Sequence, residues 1–227
     1  MVQRHAKSSY GGAFVFPGGV VDETDSEVHA YCHGLDTVEA DRLLAVEDGG
    51  LDYYIAAIRE LFEETGVLLA DHCVSDKELH RHRSQLNSSA LDWHRFVADN
   101  NVRLHCGDLH YFSHWITPDV YPKRYTTRFF IARSPEGQIA RHDDGELTGA
   151  IWITAKDALS AASSGDLSLH FPTIKTLEWA AAHDSIDAII DRADELANNG
   201  VAAIQPVMPG GDPSGVPQIH GVTRGTQ

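Results

Sequence analysis

The segment Leu51 to Val67, LDYYIAAIRELFEETGV, constrains this chain more than any other stretch, because a single helical register gives it two opposed faces. At about 100° per residue, Leu51, Ile55, Ile58 and Phe62 gather on one side, while Glu60, Glu63 and Glu64 fall within an arc of about 100° on the other. The apolar stripe needs a core to pack against. The carboxylates repel one another, at a cost of roughly a few tenths of a kcal/mol per pair at such spacings. A cation would relieve that repulsion. Carboxylate oxygens are hard ligands suited to Mg²⁺ or Mn²⁺, ions that keep positions open for water and for substrate phosphates. Ala56 and Ala57 flank the acidic face one turn back and leave room for such an ion. Gly66 supplies the left-handed residue that ends the helix. The plainer alternative, that the acids are simply a solvated helix face, holds for most amphipathic helices.

The order of residue types is more specific than acidity alone. Arg59-Glu60-Leu61-Phe62-Glu63-Glu64-Thr65-Gly66-Val67 resembles the second half of the Nudix box, R-E-aliphatic-x-E-E-x-G-aliphatic, at every defined position. Phe16-Pro17-Gly18-Gly19-Val20-Val21-Asp22 resembles its first half, a Pro-Gly-Gly turn ahead of the helix. Two features depart from the family pattern. The Glu that the box carries between its turn and its helix is replaced by Asp25, one methylene shorter. In addition, 33 residues separate Asp25 from Arg59 where the family has seven, so about 26 are inserted. An insertion at this place, between FPGG and such a helix, resembles the coenzyme A diphosphatase-like branch of the Nudix hydrolases. The resemblance runs from Arg4 to about Ala158, and His114 to Pro118 and Lys123 to Phe130 are similar to segments of the same branch.

The fold class this implies is α/β: a Nudix α/β/α sandwich with a mixed central sheet, extra helices from the insertions, and the family's first strand lacking, because Met1 to Arg4 already reads as the end of a strand. Residues 1–205 are expected to form one domain of ordinary size, followed by a Gly/Pro-rich, poorly ordered tail over 206–227. Ala13 to Phe16 reads as a short strand before the Pro-Gly-Gly turn. Within the insertion, 26–50, Asp36 is placed to cap a short helix through Leu44. Residues 75–100 read as one or two helices beside the site. Leu109 to Thr117, Arg128 to Ala132 and Glu146 to Ile153 read as strands, and Ala155 to Ala162, Thr173 to His183 and Ser185 to Asn198 as helices, the last ended by Gly200.

The resemblance also implies the chemistry, hydrolysis of a diphosphate linked to another moiety. Glu60, Glu63 and Glu64 would hold Mg²⁺ or Mn²⁺, helped by the Gly18 carbonyl, and Arg59 would keep the carboxylates in place. Glu146 stands where some relatives carry the catalytic base, and a solvated loop residue is an equal alternative there. Arg4, Lys7, Arg124 and Arg128 are candidate phosphate contacts. Coenzyme A or acyl-coenzyme A is the favoured substrate, with ADP-ribose or another nucleotide derivative as the alternative. A non-catalytic nucleotide sensor, and a plain interaction domain with a solvated acidic helix, are the competing readings from other classes.

Acidic residues outnumber basic ones 33 to 18, a formal net charge of −15, which disfavours nucleic acid and anionic lipid as partners and leaves a small phosphate-bearing molecule to local cations. No apolar run approaches the length of a membrane span, and no secretory signal is evident. Cys32, Cys73 and Cys106 are too few and too scattered in sequence for a disulfide framework or a Cys-type zinc site, so a reducing cytoplasm is the expected setting. A homodimer is left open.

Overall fold

The computed structural model describes residues 1–5, 11–141, 147–213 and 215–219. The expected central helix is α2, Gly50–Thr65, and Gly66 ends it with φ 76°, its N–H returning to the Phe62 carbonyl. Before it come the strands β1 (Val2–Arg4) and β2 (Phe14–Val15), a 3-10 helix over Glu23–Tyr31, and α1 (Thr37–Leu44). After it follow β3 (Ala70–Asp71), α3 (Asp76–Asn87), α4 (Trp93–Asp99), β4 (Arg103–Leu104), β5 (His110–Ile116), β6 (Thr126–Ile131) and β7 (Leu147–Ala150). The chain continues through α5 (Ala155–Ser164), α6 (Phe171–Ala181), α7 (Ile186–Asn199) and β8 (Ala203–Ile204).

Strands and helices come in short mixed runs, and the helices pack against sheets as in an α/β sandwich. One sheet has the order β2-β1-β7, all antiparallel, with Val2 opposite both Val15 and Ala150, so β1 is paired on both sides. A second sheet has the order β6-β5-β8 and is mixed: β5 and β6 form an antiparallel hairpin, and β8 joins β5 in parallel. β3 and β4 make a short separate ribbon.

The apolar stripe of α2 does what its period requires. Leu51, Ile55, Ile58 and Phe62 are all buried, and Phe62 stacks on Phe96 of α4 at 5.5 Å with the rings nearly parallel. Each such side chain contributes about 1.5–3 kcal/mol on burial, which makes α2 the spine of the core. On its next face Tyr54 meets Phe130 of β6, ring centroids 4.7 Å apart.

The insertion is structured and belongs to this core. Asp36 caps α1 by accepting the Glu39 N–H at 2.9 Å, and α1 packs on both α2 and α7. Val28, Ala40 and Leu44 are buried. The 3-10 helix rests on α2 and α4. Two expectations need correction. Among the described residues the strand expected over 146–153 runs Leu147–Ala150 and ends before Ile151; Glu146 lies outside the described residues. Nor is the tail structureless where it is described: Val207 and Gln218 exchange backbone hydrogen bonds, Met208 is buried, and Tyr121 donates its hydroxyl to the Pro213 carbonyl. The cysteines are free thiols, although Cys32 and Cys106, far apart in sequence, lie side by side with their sulfurs 3.1 Å apart.

Candidate active site

The site forms where the Pro-Gly-Gly turn meets the second half of α2. Gly19 sits so close to Glu60 that a Cβ on it would fall 2.3 Å from the Glu60 carboxyl carbon, so only glycine permits this approach. Gly18 donates its N–H to Glu64 Oε2 at 3.0 Å. The turn therefore grips two of the three predicted carboxylates.

Arg59 organises the rest. It is nearly shielded from solvent, and its guanidinium donates from Nε to Asp25 Oδ1 at 2.9 Å and from Nη2 to Asp25 Oδ2 at 3.1 Å, a two-pronged pair with a carboxylate that is fully buried. Nη2 also reaches the Val20 carbonyl at 2.8 Å, while Nη1 donates to Glu60 Oε1 at 2.8 Å and to Glu63 Oε2 at 3.3 Å. Burial by itself would lower the proton affinity of the guanidinium; the bonds to Asp25 and the charges of Asp25, Glu60 and Glu63 raise it above its ordinary value. Asp25 is itself fixed, accepting the Asp22 N–H at 2.8 Å as part of the cap of the 3-10 helix. The shortened side chain thus still meets the arginine across the insertion.

Glu63 carries the electrostatic strain. Burial pushes its carboxyl up from an ordinary 4.5 to about 7; the Arg59 charge opposes that rise and the neighbouring Glu60 charge adds to it. Among the described residues, no three carboxylate, imidazole or thiol groups converge closely enough to cage a metal ion. The reason is visible in the bonding: Glu60 and Glu63 are turned to Arg59, and Glu64 to the Gly18 N–H. In residue type the set fits a hard divalent cation, since three glutamates lie on adjoining turns and Arg59 is shared by Asp25, Glu60 and Glu63.

The predicted cations separate. Arg124 is exposed and tied to Asp119 at 2.7 Å and to the Thr117 carbonyl, so it braces the β5–β6 turn. Arg4 lies in β1 near His170, whose proton affinity falls chiefly through burial and also through the Arg4 charge. Arg128 of β6 lies over the ring of Tyr53 of α2, 4.2 Å from its centroid. Lys7 and Glu146 lie outside the described residues. Sequence reasoning missed Arg83 and Asn87 of α3, which donate to the Glu63 carbonyl at 2.9 Å and 3.1 Å and so satisfy a carbonyl in the last turn of α2. Their only advance signal is a position on a helix after Gly66. Tyr53 was missed as well, although its place seven residues before Glu60 puts it on the same helical stripe.

An α/β sandwich whose glutamate-rich helix is clasped by a Pro-Gly-Gly turn and keyed by a buried arginine defines a Nudix-type domain. Residues 37–178 match the family described as the NUDT19 Nudix domain, and the chain belongs to that family of Nudix hydrolase domains. Among curated proteins it is 26% identical over 163 residues to "Putative nudix hydrolase 7" of Caenorhabditis elegans, covering 72% of this chain and 48% of that one. It is 25% identical over 201 residues to "Acyl-coenzyme A diphosphatase NUDT19" of Xenopus laevis, covering 70% of this chain and 53% of that one. The chain thus spans about half the length of these relatives. Among solved structures, the NUDIX hydrolase from Alicyclobacillus acidocaldarius superposes with a TM-score of 0.67 at 24% identity, over 84% of this chain and 86% of that one, which supports the fold. No described helix is long and apolar enough to cross a membrane.

Proposed function

We infer that this domain hydrolyses the diphosphate linkage of a small nucleoside diphosphate derivative in a metal-dependent reaction, with coenzyme A or an acyl-coenzyme A as the substrate. The observation that carries the reading is the charge balance around Arg59: one guanidinium serves Asp25, Glu60 and Glu63, and Glu63 is left with a carboxyl pushed up to about 7. A helix face that is merely solvated does not bury its acids this way. Family membership supports hydrolysis of a nucleotide-linked diphosphate in general, and the kinship with a protein named as an acyl-coenzyme A diphosphatase favours coenzyme A in particular.

Glu60, Glu63 and Glu64 would hold Mg²⁺ or Mn²⁺, with the Gly18 carbonyl as a further ligand. A bound ion of this kind polarises phosphate oxygens and makes water a better nucleophile near neutral pH. The chain itself contributes placement. Arg59 and Asp25 fix the helix face from below, the Pro-Gly-Gly turn closes on Glu60 and Glu64, and Arg83 and Asn87 hold the backbone of Glu63. Glu146 remains the proposed base, with Arg4 and Lys7 as further phosphate contacts.

The test is phosphate-ester release from coenzyme A, acyl-coenzyme A, ADP-ribose, NADH and diadenosine polyphosphates, compared by kcat/KM. Chelation should abolish turnover, and Mg²⁺ or Mn²⁺ should restore it. Glu63→Gln should lower kcat by at least about 10²-fold while the protein stays folded. Full activity in the chelator refutes the metal assignment. Preference for ADP-ribose refutes coenzyme A and leaves the diphosphatase standing, and nucleotide binding without turnover of any substrate identifies a sensor.

A further inference from the structure

Tyr53, Ala57, Glu60 and Glu64 share one stripe of α2, since at about 100° per residue they fall within an arc of about 60°. That stripe has a wall on each side. Along one, Asp25 at the threshold of the insertion is bound to Arg59 and His29 within it to Asp52, both on the neighbouring stripe. Along the other, β6 packs on α2 through Phe130 and Tyr54. Gly18 and Gly19 close the carboxylate end. Ala57, between the two ends of the stripe, carries no more than a methyl.

Arg128 occupies the far end. Its guanidinium lies over Tyr53, and its Nε is buried with no hydrogen-bond partner. Among the described residues no carboxylate is paired with it; besides the ring, its side-chain partner is the neutral Tyr111 hydroxyl. An aromatic face attracts a cation without neutralising it, and a partly buried charge with no counter-charge is costly, so this position has a standing affinity for an anion. Neutral donors stand beside it. Thr126 Oγ1 and His114 Nε2 are 2.6 Å apart, and His114 sits directly opposite Arg128 in the β5–β6 ladder. Burial, with a smaller push from the Arg128 charge, lowers His114 to about 4, so it adds no positive charge at neutral pH.

We propose that Arg128, held on the Tyr53 ring, is the subsite for a second phosphate group of the substrate: a phosphomonoester on the ribose of the same nucleotide whose diphosphate is cleaved at Glu60, Glu63 and Glu64. The proposal rests on the diphosphatase reading above. Its geometry is consistent with one ribose. Seven residues at a rise of about 1.5 Å put Tyr53 about 10 Å from Glu60 along the helix. A 3′-phosphorus and the 5′-phosphorus of one nucleotide are joined through six bonds, which at about 1.5 Å each span under about 9 Å. Oxygen contacts of about 2–3 Å at each end cover the difference. Arg124, by contrast, is exposed and tied to Asp119 in the β5–β6 turn.

The experiment compares substrates that differ only in that phosphate: coenzyme A against 3′-dephospho-coenzyme A for a 3′-phosphate, and NADPH against NADH for a 2′-phosphate. In the wild type, kcat/KM should favour the phosphorylated member of one pair by about 10–100-fold, chiefly through KM, the size expected of a charge-assisted contact. Arg128→Ala should cut the phosphorylated member at least tenfold more than its partner, collapsing the preference to within about threefold, and Arg128→Lys should restore part of it. Equal use of both members of both pairs by the wild type, or an equal fall for both in Arg128→Ala, overturns the subsite. A readout that needs no turnover separates this failure from failure of the diphosphatase reading: adenosine 3′,5′-bisphosphate should bind the wild type at least tenfold more tightly than adenosine 5′-monophosphate, with the difference lost in Arg128→Ala. Equal binding of the two nucleotides, and of the matching 2′-phosphate pair, overturns the proposal even if no diphosphate is ever cleaved. Should Arg128→Ala fail to fold, Arg128→Gln, which keeps a polar side chain of closer size without the charge, replaces it in both assays.

Discussion

Asp25→Ala is the sharpest test of how the interrupted motif is held together. Asp25 is fully buried and meets Arg59, itself 7% exposed, through two hydrogen bonds. Removing one partner of a buried pair strands the other charge, at a cost of about 3–5 kcal/mol. Here Glu60, Glu63 and the Val20 carbonyl remain on the guanidinium, which places the loss at the lower end of that range. The variant also loses the acceptor for the Asp22 N–H that caps the 3-10 helix, worth about 1 kcal/mol. The expected sum is about 4 kcal/mol. In a domain of this size that lowers the melting temperature by roughly 8–16 °C. Urea unfolding followed by circular dichroism and tryptophan fluorescence measures it, and Asp25→Asn, which keeps shape and one acceptor, should fall between the variant and the wild type. A double-mutant cycle with Arg59→Ala should give a coupling of at least about 2 kcal/mol. An Asp25→Ala protein within about 1 kcal/mol of the wild type would refute the claim that this pair closes the insertion.

The other expectations concern the carboxylate end. Glu63 has a folded-state pKa of about 7 against an ordinary 4.5, so the fold prefers the neutral carboxyl; its stabilising contribution is full below about pH 4.5 and is lost as pH rises through about 7. The metal-free wild type should therefore lose melting temperature over that window faster than Glu63→Gln, and parallel pH profiles would contradict this. Protons compete with the ion for the same oxygens, so half-saturation by Mg²⁺ should require more metal as pH falls below 7. Gly19→Ala forces a methyl against the Glu60 carboxylate; because that is the end of a flexible side chain, the protein should fold with a loss of about 1–3 kcal/mol while kcat drops at least tenfold, and an unaltered kcat would show that Glu60 need not be held there. Arg83→Ala leaves the Glu63 carbonyl to Asn87 alone and should cost about 1–2 kcal/mol by urea titration, an expectation that fails if the midpoint is unchanged.

The fold was legible where period and local chemistry agreed. α2 announced itself through four apolar residues on one stripe and a glycine stop; α1 through Asp36; the β5–β6 hairpin through β-branched and aromatic runs interrupted by a proline. The candidate site was legible where it lies within one helix, because a helix converts spacing into direction. Contacts between distant segments carried no such signal. Nothing local announces that Arg83 turns back to Glu63, that Arg128 lies on Tyr53, or that Cys32 meets Cys106. Arg4 and Arg124 were equally plausible as phosphate contacts in one dimension. Only the fold shows that Asp119 already holds Arg124.

The insertion shows how a site can be interrupted without being lost. Extending the connection between Asp25 and Arg59 from seven residues to 33 raises the entropy cost of closing it by only about 1.4 kcal/mol, because that cost grows with the logarithm of length. Burying Val28 and Leu44 alone offsets more than this, at about 1.5–3 kcal/mol each. Closure is then secured at several points. Asp25 returns to Arg59, His29 meets Asp52 at 2.5 Å, and the Gly50 N–H donates to Asp41 Oδ1 at 2.6 Å where α2 begins. The anchors on Asp52 and Arg59 both lie on the stripe next to Tyr53, Ala57, Glu60 and Glu64. The insertion is therefore bound along the flank of the acidic stripe and leaves the carboxylates themselves to the Pro-Gly-Gly turn, so its length can change without altering the chemistry while the side wall of the trough changes with it.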